Sequence, residues 1–122
     1  MGWTCAVQGG EIEDTALDRR RADRIERYAV SRKAVYFDGR YLPLARIACA
    51  RFGRSVYRPH HCCGIGLPVY RIRLDCPGSE PVFLVLELES SLKSLLERIR
   101  EANPAAIVEE SGGERREEGA LT

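Results

Sequence analysis

Three consecutive stretches decide the fold: Val69-Tyr70-Arg71-Ile72-Arg73-Leu74-Asp75-Cys76, then Val82-Phe83-Leu84-Val85-Leu86-Glu87-Leu88, then Leu92-Lys93-Ser94-Leu95-Leu96-Glu97-Arg98-Ile99-Arg100. In the first, Tyr70, Ile72, Leu74 and Cys76 alternate with Val69, Arg71, Arg73 and Asp75. A period of two predicts a strand with one wet face. The second is apolar up to Glu87 and reads as a strand buried at the centre of its sheet. In the third the period changes to 3.6. Leu92, Leu95, Leu96, Ile99 and Ala102 fall on one stripe, which predicts an amphipathic helix packed on the strands. Ser90 or Ser91 is placed to cap its start by accepting a backbone N–H bond. Asn103-Pro104 stops it, because proline disfavours helical geometry in the preceding residue.

Upstream the chain reads as short strands. Tyr28 to Ser31 and Ala34 to Phe37 are the first two, and Arg40 to Leu44 returns after Asp38-Gly39. An Asp-Gly pair between two β-rich runs predicts a tight hairpin, since its turn needs positive φ at both central residues. Ile47 to Phe52 and Ser55 to Tyr57 follow, then a loop from Arg58 to Gly66. Residues 13–27 are charged and free of Gly and Pro, with a thin apolar stripe of Leu17, Ala22 and Ile25, which suits a short helix. Residues 1–12 read as a flexible lead. Residues 106–122 read as a disordered charged tail, because Glu109 to Glu118 contains no apolar side chain to offset the cost of ordering. The expectation is one α+β domain over 13–105: a helix in 13–27, strands in 28–88, a helix in 90–103. Six or seven antiparallel strands form a barrel or curved sheet capped by the C-terminal helix.

The segment from Tyr28 to Leu44, the loop Cys62-Cys63-Gly64-Ile65-Gly66-Leu67-Pro68, the paired strand after it and the helix ending in Asn103-Pro104 together resemble small bacterial proteins with a pleckstrin-homology-like fold. The resemblance covers roughly residues 24 to 105. It implies a binding or scaffolding module with no catalytic activity, docking a protein or peptide partner. An extended peptide could add at an open edge between the strand ahead of the terminal helix and that helix. The lipid-binding signature of eukaryotic members is not carried over, because the first hairpin has few basic residues (Arg32, Lys33 and Arg40).

Composition narrows the function classes. The chain has 122 residues, 44% hydrophobic and 30% charged, with a net charge of +1. That balance argues against a protein that coats polyanions. No apolar run approaches the roughly 18 residues of a membrane span. Five cysteines, an odd number, follow no secretory signal, which places the chain in the cytoplasm with reduced thiols.

Two groups of residues could carry chemistry. His60, His61, Cys62 and Cys63, with Cys76 from a strand, have the right atoms for zinc or a reactive thiol. Zinc needs four tetrahedral ligands, however, and four adjacent residues cannot all converge on one ion. No metal site, cofactor or catalytic residue is therefore assigned, and the metal or thiol site stands as an alternative. Charge is unevenly spread. Residues 34–76 hold seven arginines against two aspartates, and residues 77–122 hold five basic against ten acidic residues. Arg51, Arg54, Arg58, Arg71 and Arg73 are the candidate anion-binding residues. Weak anion or nucleic-acid binding by this basic sheet face stands as a further alternative; of the aromatics near it, Tyr57 and Tyr70, the second falls on the inner face, which weakens the nucleic-acid case. The partner's identity and the oligomeric state are not encoded in any motif.

Overall fold

A computed structural model of the chain describes residues 3–7, 11–57 and 67–111. Among these the architecture is α+β, with nine strands in two sheets and one 14-residue helix. Sheet A has the order β1-β5-β4-β3-β2 and sheet B the order β8-β7-β6-β9.

In sheet A, β2 (Asp23–Ile25), β3 (Tyr28–Val30), β4 (Ala34–Phe37) and β5 (Arg40–Pro43) form an antiparallel meander. The expected hairpin lies between β4 and β5. Asp38 and Gly39 take φ of 47° and 74°, and Phe37 pairs with Arg40 across them. β1 (Thr4–Cys5) joins β5 in parallel. In sheet B, β6 (Cys49–Tyr57), β7 (Leu67–Asp75) and β8 (Val82–Leu86) form a second meander, and β9 (Ile107–Glu110) lies parallel to β6. Helix α2 (Glu89–Ala102) packs through Leu92, Leu95, Leu96 and Ile99, all buried. Such burial contributes roughly 2 kcal/mol per side chain before ordering costs. Val30, Leu42, Leu44, Ile47, Ile72, Leu74, Leu84 and Leu86 complete the core between the sheets and the helix.

The sheets do not close into a barrel among the described residues. Pro43 has no N–H with which to extend the β5 ladder. A 3-10 turn (Leu44–Arg46) then carries the chain out of sheet A and into β6. Three further expectations are corrected. The helix sought in 13–27 is confined to α1 (Thr15–Arg20), and Asp23–Ile25 pairs with β3 instead. Its stripe was too thin to hold a longer helix, whereas β3 supplies backbone partners. The lead is partly ordered: Thr4 donates to Gly39 O at 3.1 Å, and the Trp3 ring meets Tyr36 edge-on at 5.2 Å. Ile107–Glu110, expected within the tail, finds ladder partners on β6. Residues 112–122 lie outside the described residues.

The start of α2 is held differently from the expected serine cap. The cap residue is Leu88, without a side-chain cap bond. Glu26, in the two-residue β2–β3 loop, reaches across instead. Its carboxylate accepts from Glu87 N at 2.8 Å and Leu88 N at 3.0 Å, and Ser91 hydrogen-bonds to it as well. Asn103 ties the other end, donating from Nδ2 to Ile47 O at 2.9 Å. Arg98 donates to Val30 O at 3.0 Å and pairs with Asp23. Partial burial works to raise the Glu26 carboxyl, but the bonds from Glu87, Leu88 and Ser91, with the nearby Arg27 charge, outweigh it and hold the group below its ordinary 4.5.

A carboxyl depressed in the folded state stabilises above its unfolded value and loses that contribution as acid protonates it. Glu26→Ala is expected to cost about 1–2 kcal/mol at neutral pH in chemical denaturation, with the gap to wild type narrowing below 4.5. Because Glu26 has a φ of 55°, Glu26→Gly should cost less than Glu26→Ala, as glycine adopts that conformation without steric penalty. Equal costs for the two would show that the backbone conformation contributes nothing.

Candidate functional site

Sheet A is covered on both faces. One faces the core, and the other carries Ala29, Ala34, Tyr36 and Tyr41 beneath Trp3, Ile12 and Ala22. Asp18 of α1 accepts from the Tyr36 and Ser31 hydroxyls, both at 2.6 Å, and Ile12 N donates to Tyr41 Oη at 2.9 Å. Burial first, and then the Asp18 carboxylate, push the Tyr36 phenol well above its ordinary value. This cluster fastens the N-terminal segment; its hydroxyls are already engaged. A polar cleft of about 720 Å³ lies where β1, the Asp38-Gly39 turn and the Gly78-to-Phe83 stretch meet.

Sheet B presents two surfaces. On its inner side a groove of about 360 Å³ runs between β6 and α2, with Phe52, Leu92 and Leu96 inside it and Lys93, Glu97 and Arg100 at its rim. Two and four residues on from Phe52, on the same face, stand Arg54 and Val56, opposite Tyr70 and Pro68. Arg54 and Val56 are exposed. The outer face of sheet B carries Arg51, Arg71 and Arg73. Arg51 and Arg73 are direct register partners, Arg73 stands opposite Phe83 and Arg51 opposite Glu109. Arg51 pairs with Glu109 at 3.1 Å and Arg73 with Asp75 at 2.9 Å. These pairs are half exposed, so each is worth under about 1 kcal/mol.

The five candidate anion-binding arginines therefore divide. Arg51, Arg71 and Arg73 share one face. Arg54 lies on the opposite face with Tyr70, because one step along a strand reverses the side chain. Arg58 lies outside the described residues, as do His60, His61, Cys62 and Cys63. Cys76 is buried at the end of β7, and that burial pushes its thiol up to about 11, against a smaller opposing pull from Arg46. A thiol so held is neutral near pH 7, the reverse of what a nucleophile or metal ligand needs. Among the described residues no three His, Cys, Asp or Glu side chains are grouped to hold a metal ion, and no helix is long and apolar enough to cross a membrane. Two residues that matter here went unremarked in the sequence: Phe52, inside the groove, and Phe83, 60% exposed on the arginine face.

Fold and surfaces together define a two-sheet α+β domain in which the central strands of sheet A are covered on both faces and sheet B is largely exposed on one. No family model, curated protein or solved structure matches the chain.

Iodoacetamide at mildly alkaline pH should leave Cys76 unmodified in the native protein and label it fully in denaturant, read by peptide mass mapping. Rapid native labelling of Cys76 would contradict both its burial and its raised pKa.

Proposed function

We propose that the chain is a non-catalytic docking module of pleckstrin-homology-like architecture, which takes a peptide segment of a protein partner in the groove between β6 and α2. The fold part of the reading is supported by topology. Set aside the two parallel strands β1 and β9, and antiparallel meanders of four and three strands remain, followed by the helix. The groove carries the functional part. It has apolar Phe52, Leu92 and Leu96 within and charges of both signs at its rim. That is the arrangement that admits one large apolar side chain and orients it through polar neighbours.

The mode of docking differs from strand addition beside the strand ahead of the helix. That strand is β8, and its outer edge is in use. Tyr28 Oη accepts from Val85 N at 2.9 Å and donates to Val85 O at 3.3 Å, and Glu26 takes Glu87 N. The outer edge of β6 is in use as well, by β9. A partner must therefore bind by inserting side chains. Arg54, one strand repeat from Phe52, fits a carboxylate that follows the inserted apolar residue.

Peptides selected on the immobilised protein from a display library, then titrated by NMR, test this. Selected peptides should pair an apolar anchor with an acidic residue, bind in the range of about 1–100 μM, and shift Phe52, Leu92 and Leu96. Arg54→Glu should weaken them by tenfold or more. Peptides that map elsewhere, or that ignore Arg54→Glu, would overturn the assignment.

A further inference from the structure

On the face of sheet B opposite the groove, Val69 is buried and Ser111 lies against Gly53, but Arg51, Arg71, Arg73 and Phe83 are exposed. Phe83, Arg73 and Arg51 form one row across β8, β7 and β6, and Arg71 stands two residues along from Arg73 in the next row, between Val85 and Gly53. Neighbouring strands lie about 4.8 Å apart and alternate residues about 6.6 Å apart. The Cα atoms of the three arginines therefore lie within about 8 Å of one another, beside an aromatic ring that is 60% exposed. No described carboxylate forms an ion pair with Arg71, whereas Arg51 and Arg73 hold an exposed and a partly exposed partner, Glu109 and Asp75, that an incoming anion can displace at small cost.

We infer that this face binds single-stranded nucleic acid, with phosphates on Arg51, Arg71 and Arg73 and a base stacked on Phe83. The choice over an acidic peptide rests on what a sheet face offers. Its N–H and C=O groups are spent within the sheet plane, so a peptide lying across it would leave its own backbone groups without protein partners. A single strand of nucleic acid makes no such demand. It presents phosphates, which arginine binds through paired N–H donors, and base planes, which stack on an aromatic side chain. A duplex keeps its bases stacked inside and cannot use Phe83 in this way. The inference is independent of the groove, since it uses the other face of the sheet and a different class of ligand.

Fluorescence anisotropy with labelled twelve-residue oligothymidine and oligouridine tests it, at low and at moderate salt. Wild type should bind both at micromolar concentrations in low salt and weaken as salt rises, because displaced counterions accompany each phosphate contact. Arg71→Glu combined with Arg73→Glu should reduce affinity by more than tenfold. Phe83→Ala should reduce it by roughly 5- to 100-fold, the range of one lost stacking contact, and Phe83→Trp should retain binding. All three positions are exposed, so thermal melting of each variant is expected to stay within a few degrees of wild type. Lys93→Glu, at the groove, should leave the affinity unchanged. The inference fails if neither oligonucleotide binds at low salt, if Phe83→Ala binds as wild type does, or if duplex DNA or oligoglutamate binds as tightly as the single strands.

Discussion

An edge strand with both hydrogen-bonding directions open is a template for unwanted pairing, and a fold that keeps one must occupy it. Here that strand is β8. Its inner edge pairs with β7, and its outer edge is met by two side chains of the β2–β3 hairpin, Tyr28 at Val85 and Glu26 at Glu87 and Leu88. These bonds join the sheets without a shared strand. They also fix the direction in which the chain leaves β8, and so place the first turn of α2. From there Leu92, Leu95, Leu96 and Ile99 follow into the core, with Arg98 and Asn103 tying the helix back to Val30 and Ile47. Glu26 holds a positive φ to do this, a strain of the order of 1 kcal/mol, which its bonds to two N–H groups and a serine offset.

The two sheets are used unequally. Sheet A is enclosed by the core on one side and by the segment from Trp3 to Ala22 on the other, with Asp18 holding Ser31 and Tyr36. Two covered faces explain why β4 is buried along its whole length. The middle strands of such a sheet have little free face, and its open surface lies at the rim, in the polar cleft beside the Asp38-Gly39 turn. Sheet B is exposed on its outer face around Arg51, Arg71, Arg73 and Phe83, and its β6–β7 hairpin carries exposed apolar residues at its far end, with Val56 and Leu67 both more than half exposed. Both proposed binding surfaces therefore lie on sheet B, and sheet A supports it.

What could be read from the sequence followed the strength of the local periodicity. The alternation in β7, the Asp38-Gly39 turn, the leucine stripe of α2 and the stop at Asn103-Pro104 all depend on neighbours in the chain, and the structure holds each of them. The parallel strands β1 and β9 were not legible. Two and four residues are too short for a pattern, and each exists because a distant strand, β5 or β6, offers an edge. The cap at Glu26 was invisible for the same reason, since it lies more than sixty residues from the serines that looked better placed. The arginines were noticed, but their division between faces required one common register for β6 and β7. The phase of Arg71 and Arg73 was clear from their own strand, whereas Arg51 and Arg54 lie in a strand whose alternation is weak.

Phe83 shows how one topological fact changes both functional readings. In a run of five apolar residues no phase is favoured by polarity, so the segment reads as a central strand buried on both faces. Placed instead at the edge of a sheet covered on one face, the same run must divide. Val82, Leu84 and Leu86 turn inward and are buried, while Phe83 is left largely exposed. The edge position that exposes Phe83 also obliges Tyr28 and Glu26 to close the strand's backbone, which removes strand addition at β8 as a way of binding. The placement of β8 thus bears on both proposed modes of binding. It takes away a backbone edge and puts an exposed aromatic ring beside Arg73 on the outer face of sheet B.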